Sequence, residues 1–237
     1  MYIHLNPPIV LQPNYRGSTG YGCEFSDDVI GHYFNHMLPD VMNGCDYLIA
    51  EGLVDGEKMG KRGYSAGGVL TKWTVTQTNR FKAAAAGAGA SSWAVMYMLG
   101  DLRQHREPWF GGAPWESQAV LENYWKDSPI AYVKNTTTPT LLHSGDKDER
   151  NPLWENLMFH RALKGIGVPT YLFVYPGHAH GNWTLESHLL RANADIAWME
   201  HYINGREWAW EEVSEDGEFG FKNEDFCISN DEFCSRR

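Results

Sequence analysis

Ser65 stands within Gly63-Tyr64-Ser65-Ala66-Gly67-Gly68, a G-x-S-x-G pattern. That spacing has a steric meaning for a nucleophile. A serine at a sharp strand-to-helix turn holds its hydroxyl clear of the backbone, in a strained conformation. Residues two before and two after the serine crowd each other, so Gly63 and Gly67 are expected to remove side chains there. Gly68 would let the following helix pack close to the sheet. The N–H of Ala66 would then point at the reacting carbonyl oxygen from the positive end of that helix, as an oxyanion donor. Alone the pattern is weak, because a glycine-rich helix start also produces it. A predicted strand running into Tyr64 and a predicted helix from Gly67 to about Thr78 strengthen it. Lys61 and Arg62, polar residues just before the turn, run against that context and place the strand's exposed end there.

A serine nucleophile needs a base, and the base needs an acid to orient it. In open parallel sheets such groups sit on loops that leave the carboxyl ends of strands. Two loops qualify. Ser144-Gly145-Asp146-Lys147-Asp148 follows a predicted strand over Thr140–His143. Tyr175-Pro176-Gly177-His178-Ala179-His180-Gly181 follows another over Thr170–Tyr175. The order serine, acid, histidine along the chain is the one such sheets use. Within each loop the residue pattern leaves two candidates, Asp146 or Asp148 and His178 or His180. A loop aspartate is by default a turn former and a loop histidine a surface residue. The same four residues could be read as a zinc set, but they lack a convincing further ligand set and leave the serine turn unexplained.

The elements that must position these groups follow from periodicity. Short apolar runs alternate with amphipathic stretches, the signature of a parallel sheet with crossover helices. Ile9–Gln12 reads as a strand, followed by a glycine-rich loop from Asn14 to Gly22. Val41, Met42, Cys45, Leu48 and Ile49 mark one helix face that stops at Gly52. Phe81–Ala88 reads as a small-residue strand. Ser91 to Lys134, rich in Trp, Tyr, Pro and Gly, reads as helices capping the sheet's edge. Asn151 and Pro152 read as the cap and first position of a helix burying Leu153, Trp154, Leu157 and Met158. Glu186–Tyr202 is the last long helix.

Composition bounds the function classes. Hydrophobic residues make up 43% and charged residues 21%, ordinary for a soluble globular chain of 237 residues. The net charge is −10, of which −7 lies in residues 207–237, with ten acidic and three basic side chains. The rest is near neutral, which argues against nucleic acid as a partner. No apolar run reaches a membrane span, and Met1 to Asn6 lacks the basic and apolar stretches of a leader. These features favour a soluble, cytoplasmic protein. Residues 1–210 read as one catalytic domain and 211–237 as an acidic, mobile tail. Cys227 and Cys234 could close a small loop in an oxidising compartment or remain free thiols. Asn135-Thr136-Thr137 and Asn182-Trp183-Thr184 match the glycosylation pattern, a match that short sequences often make by accident.

From about Ile9 to Trp210 the chain resembles the catalytic domain of the prolyl oligopeptidase family, nearest its acylaminoacyl-peptidase and dipeptidyl-peptidase branch. The resemblance rests on the stretch from Gln12 to Gly22, Asp46-Tyr47-Leu48, Gly52-Leu53-Val54-Asp55, the serine turn, Phe81-Lys82-Ala83-Ala84, Trp109-Phe110-Gly111-Gly112 and Ser128-Pro129. It implies an α/β-hydrolase, a mostly parallel sheet with helices on both faces. The family's acid loop, His-Gly-x-x-Asp-x-x-Val-Pro, aligned on Gly145 and Pro152, implies Asp148 as the acid. Its base loop, Tyr-Pro-x-x-x-His-Gly, implies His180 as the base. Ser144 and Asn151 depart from the pattern at positions that are not catalytic.

The resemblance also implies parts that this sequence does not show. Relatives carry a β-propeller, earlier strands and a His-Gly-Gly-Pro-like stretch supplying a second oxyanion donor; His4-Leu5-Asn6-Pro7-Pro8 is a faint echo of that stretch. The expectation is an incomplete hydrolase domain whose Ile9 strand lacks its neighbour. Its exposed sheet edge would invite a second copy of the chain, and one missing oxyanion donor would cost ~10²–10³ in turnover. The expected activity is peptide-bond cleavage by Ser65, His180 and Asp148, with no metal and no organic cofactor. The alternatives are a carboxylesterase acting on small acyl esters and a non-catalytic remnant that associates through the open edge.

Overall fold

The computed structural model describes residues 8–34, 36–181 and 183–208, and the backbone of 227–228. In chain order the elements are α1 (Cys23–Asp27), α2 (Met37–Ala50), β1 (Gly60–Tyr64), α3 (Ala66–Gln77), β2 (Ala83–Gly87), α4 (Trp93–Leu99), α5 (Glu107–Phe110), α6 (Gln118–Lys126), β3 (Thr140–Gly145), α7 (Leu153–Gly165), β4 (Thr170–Tyr175), α8 (Leu185–Asn204) and β5 (Cys227–Ile228). The sheet order is β1-β2-β3-β4-β5. The first four strands are parallel, and β5 adds antiparallel to β4. The tail and its cysteine pairing, the Asn182 glycosylation site and the stretch from His4 to Pro7 lie outside the residues whose side chains are described.

Strands that run in one direction in sequence order have right-handed crossovers on a single face. Accordingly α3 and α7 pack on one face, where Val75, Phe159 and Leu163 meet Ala84, Ala86, Leu142 and Leu172. The alternate strand residues Ala83, Ala85, Leu141 and Phe173 meet Leu190, Ala194 and Trp198 of α8 on the other. This period of two explains why β2 is a run of alanines. Both of its faces are buried at close range, and it is flanked by strands on both sides.

Three sequence expectations need correction. Ile9–Gln12 is not a strand: it has no sheet partner among the described residues, and Ile9 and Val10 are exposed, while Leu11 touches the Gly44 face of α2. The segment from Ser91 to Lys134 does not cap the sheet edge. Its Trp93, Tyr97, Phe110 and Tyr124 build an aromatic core with Val69 and Leu70 of α3 and with Val29, Tyr33 and Phe34. Helix α7 begins one residue later than expected, with Pro152 at its cap. It buries Glu155, Asn156, Phe159, His160 and Leu163, whereas Trp154 is exposed. Leu153 and Leu157 of the expected face do pack against the core, partly buried, but the most buried positions include the polar Glu155, Asn156 and His160, which hydrophobic periodicity does not mark.

Candidate active site

The turn after β1 is strained, as expected. Ser65 has φ 57° and ψ −120°, and only Ala88 shares a positive φ among the described non-glycine residues. The strain is held from below: Ser65 N–H donates to Gly87 O at 2.9 Å, tying the turn to the end of β2. A Cβ on Gly63 would lie 2.1 Å from Gly67 O, and one on Gly68 would lie 2.2 Å from Gly87 O. Both glycines are therefore required by contact with backbone that cannot move aside. Gly67 is different. A Cβ there would meet nothing within 4 Å, so the mutual-crowding expectation holds for Gly63 and fails for Gly67. Ala66 is the first residue of α3 and is exposed, and its N–H, at the first helical position, has no partner inside the helix.

The other two loops converge on the same end of the sheet. His180 Nε2 lies 2.9 Å from Ser65 Oγ, and His180 Nδ1 lies 2.8 Å from Asp148 Oδ2. The Asp148 side chain is fully buried and that of His180 is 24% exposed. The second oxygen of Asp148 accepts the N–H of Asn151 at 2.8 Å. A carboxylate fixed on one backbone N–H and facing one imidazole nitrogen orients that ring, leaving its far nitrogen to the hydroxyl.

Asp146 and His178, the other members of the two ambiguous pairs, do something else. Asp146 Oδ1 accepts Gly177 N–H at 2.6 Å, and Lys147 N–H donates to His178 O at 3.1 Å. His178 Nδ1 donates to its neighbour Pro176 O at 2.8 Å. The first two contacts brace the acid loop against the base loop, and the third tightens the base loop itself. The approach is close enough that a Cβ on Gly145 would lie 2.1 Å from His178 O.

Three residues that sequence reasoning missed support the base loop. Tyr64 donates its hydroxyl to His180 O at 2.8 Å. Trp183 Nε1 donates to Ala179 O at 2.9 Å. The Arg191 guanidinium sits over both rings, 4.6 Å from Tyr64 and 4.8 Å from Trp183. Burial, reinforced by the charge of Asp148, pushes the Tyr64 phenol up to about 12, so it stays a donor. The residue before a G-x-S-x-G serine is an x in the pattern, which is why no motif could single out Tyr64. A further buried imidazole, His143, hydrogen-bonds Tyr175 at 2.8 Å and Asp195 at 3.0 Å beneath the site. Arg62, one of the polar residues that fitted the strand poorly, pairs with the same Asp195 at 2.8 Å.

Comparison with known proteins places the chain among relatives. A profile of the prolyl oligopeptidase family matches residues 7–206. The uncharacterized peptidase YuxL of Bacillus subtilis is 33% identical over 199 residues, which is 82% of this chain and 30% of that protein. Dipeptidyl-peptidase 5 of Porphyromonas endodontalis is 29% identical over 207 residues, 84% of this chain and 29% of that one. The solved acylaminoacyl peptidase of Pyrococcus horikoshii superposes with a TM-score of 0.71 at 32% identity, over 82% of this chain and 32% of its own. An acylaminoacyl peptidase in complex with Z-Gly-Gly-Phe-chloromethyl ketone superposes with a TM-score of 0.66 at 36% identity, over 71% of this chain and 27% of its own. The chain thus spans about a third or less of the length of these relatives.

Proposed function

This chain belongs to the prolyl oligopeptidase family, and on that premise we propose that it is a serine hydrolase cleaving peptide bonds through an acyl-enzyme on Ser65. The observation that carries the reading is the hydrogen-bonded series Ser65–His180–Asp148, at 2.9 and 2.8 Å, on three loops leaving one end of a parallel sheet.

In this reading Ser65 Oγ attacks the carbonyl carbon while His180 Nε2 takes its proton. The imidazolium so formed is stabilised by Asp148, which stays ionised. The oxyanion accepts from the Ala66 N–H, where the α3 dipole adds to the hydrogen bond. Collapse of the intermediate expels the amine, which takes the proton from His180. Water then attacks the acyl-enzyme, again with His180 as base, and releases the acid.

The amide preference rests on the kinship with acylaminoacyl and dipeptidyl peptidases. It is tested by comparing kcat/KM for N-acyl peptide anilides and for small acyl esters, with Ser65→Ala as the blank. Amide turnover above the Ser65→Ala level supports a peptidase. Ester turnover with no amide turnover would replace this reading by a carboxylesterase.

A further inference from the structure

Outside the serine site, one cluster of side chains among the described residues has the make-up of a metal site. Asp28, His32 and His36 bring one ligand atom each to within 4.8 Å of one another, and all three are half-buried. They are spaced four and four along the chain, in the link between α1 and α2. His36 Nδ1 lies 2.7–2.8 Å from both oxygens of Asp28, and the rings of His32 and His36 meet edge to face at 5.3 Å.

Several observations make this more than a surface ion pair. His36 occupies the N-cap of α2 yet makes no capping hydrogen bond, so its imidazole is turned to Asp28 instead of the helix. The Nδ1 of His32 is buried and has no hydrogen-bond partner among the described residues, although buried imidazole nitrogens are normally satisfied. The backbone that presents the three is fixed independently. Val29, Tyr33 and Phe34, interleaved with them, are buried in the aromatic core, and Gly31 N–H donates to Trp109 O at 3.0 Å. The buried Asp127 accepts the Tyr33 N–H at 3.3 Å and so fixes the same stretch of backbone.

We infer that Asp28, His32 and His36 bind one divalent transition-metal ion of the zinc class, which ties the end of α1 to the start of α2. Two neutral imidazoles and one carboxylate are a ligand set that zinc accepts, with N and O donors at roughly 2.0–2.2 Å and a fourth position for water. That donor set carries one negative charge, so it suits a dication. Oxygen-seeking magnesium and calcium fit it poorly, because two of its three donors are nitrogen. The site is separate from Ser65 and stands or falls independently of the hydrolase reading.

The test is calorimetric titration of the chelator-stripped full chain with Zn²⁺, with Co²⁺ as a spectroscopic probe of coordination. The expected result is one zinc per chain, a cobalt spectrum of low-coordinate type, and a rise in Tm on adding zinc. His32→Gln/His36→Gln should lose all three. His178→Gln and His180→Ala should keep them, which excludes the serine-site loop as the source. Should the double variant misfold, Asp28→Asn and His32→Gln singly must each weaken binding while far-UV circular dichroism stays native. Absence of stoichiometric zinc on the wild-type chain, or unchanged binding in the folded variants, would overturn the inference.

Discussion

At the residue scale the account separates two aspartates that lie two positions apart. Asp148 faces His180, whereas Asp146 holds a backbone N–H across the two loops. Asp148→Asn should therefore lower kcat by a factor on the order of 10⁴, the size seen when a triad acid loses its charge elsewhere. Asp146→Asn, which keeps an acceptor oxygen, should stay within about tenfold of wild type. Steady-state kinetics of the two variants decides this, and the reverse order would put the acid at the wrong position. The two loops were legible in the sequence because each follows a short apolar run that ends in turn residues, and Ser65 was legible from its glycine spacing, although the polar Lys61 and Arg62 stand just before it. The choice within each loop was not legible from the residues. It depended on which carbonyls and amides the two loops exchange, and that is fixed only when β3 and β4 lie side by side. Tyr64 and Arg191 were illegible for a different reason: no residue pattern marks a ring stacked under a guanidinium.

At the scale of the elements, the serine turn makes an asymmetric prediction. A Cβ on Gly63 would be driven into the Gly67 carbonyl, and one on Gly67 would meet nothing. Gly63→Ala should destabilise by about 1–3 kcal/mol or more and abolish activity, since the obstacle is backbone. Gly67→Ala should leave activity intact and raise stability by up to ~1 kcal/mol, because alanine is the better helix former. Urea midpoints of both variants check this, and equal damage from the two would contradict the geometry.

The loop before α1 offers a prediction in pH. Asp40 of α2 accepts the Arg16 backbone N–H at 2.9 Å, its Nε at 2.9 Å and a terminal nitrogen at 2.6 Å. Those bonds hold the Asp40 carboxyl below the usual range. A carboxyl lowered in the folded state contributes stability above its unfolded pKa of ~3.9, and that contribution is lost as pH falls through the lower folded value. The pair is partly exposed, so the contribution is small and shrinks with salt. The stability gap between wild type and Asp40→Asn should be full at pH 7 and close below about pH 4. A gap that persists at pH 2 would assign it to something other than this charge.

At the scale of the whole molecule, the α/β-hydrolase frame is the part most fully legible in the sequence. The strands over 140–145 and 170–175 and the crossover helices were read from alternating apolar runs, whereas Ile9–Gln12, read the same way, joins no sheet among the described residues. What periodicity could not reveal is the polar knot that joins them. Lys72 of α3 is fully buried and donates to Gly89 O at 2.6 Å and Ser91 Oγ at 2.8 Å. Glu155 of α7, also fully buried, accepts the N–H groups of Ser91 and Ser92 at 2.6 and 2.9 Å. A lysine in a helical pattern reads as a surface residue, because burying one costs too much unless partners are waiting. Here burial pushes the lysine down and the glutamate up, and each charge partly offsets that shift in the other. The knot holds the connection after β2, whose first residue Ala88 is itself strained at φ 42°. Lys72→Met alone and Glu155→Gln alone should each cost about 3–5 kcal/mol, as a stranded partner demands. The double variant should be less destabilised than the sum by 1 kcal/mol or more in a double-mutant cycle. Strict additivity would show that the two groups do not act as a unit.

The central claim is that three loops at one sheet end make Ser65 a nucleophile. Its most direct measurement is labelling of the folded chain with a fluorophosphonate, followed by mass spectrometry of the modified peptide. The account predicts a single adduct on Ser65, absent in Ser65→Ala and slowed by orders of magnitude in His180→Ala. A natively folded chain that takes no label, or takes it with equal speed when His180 is replaced, would contradict it.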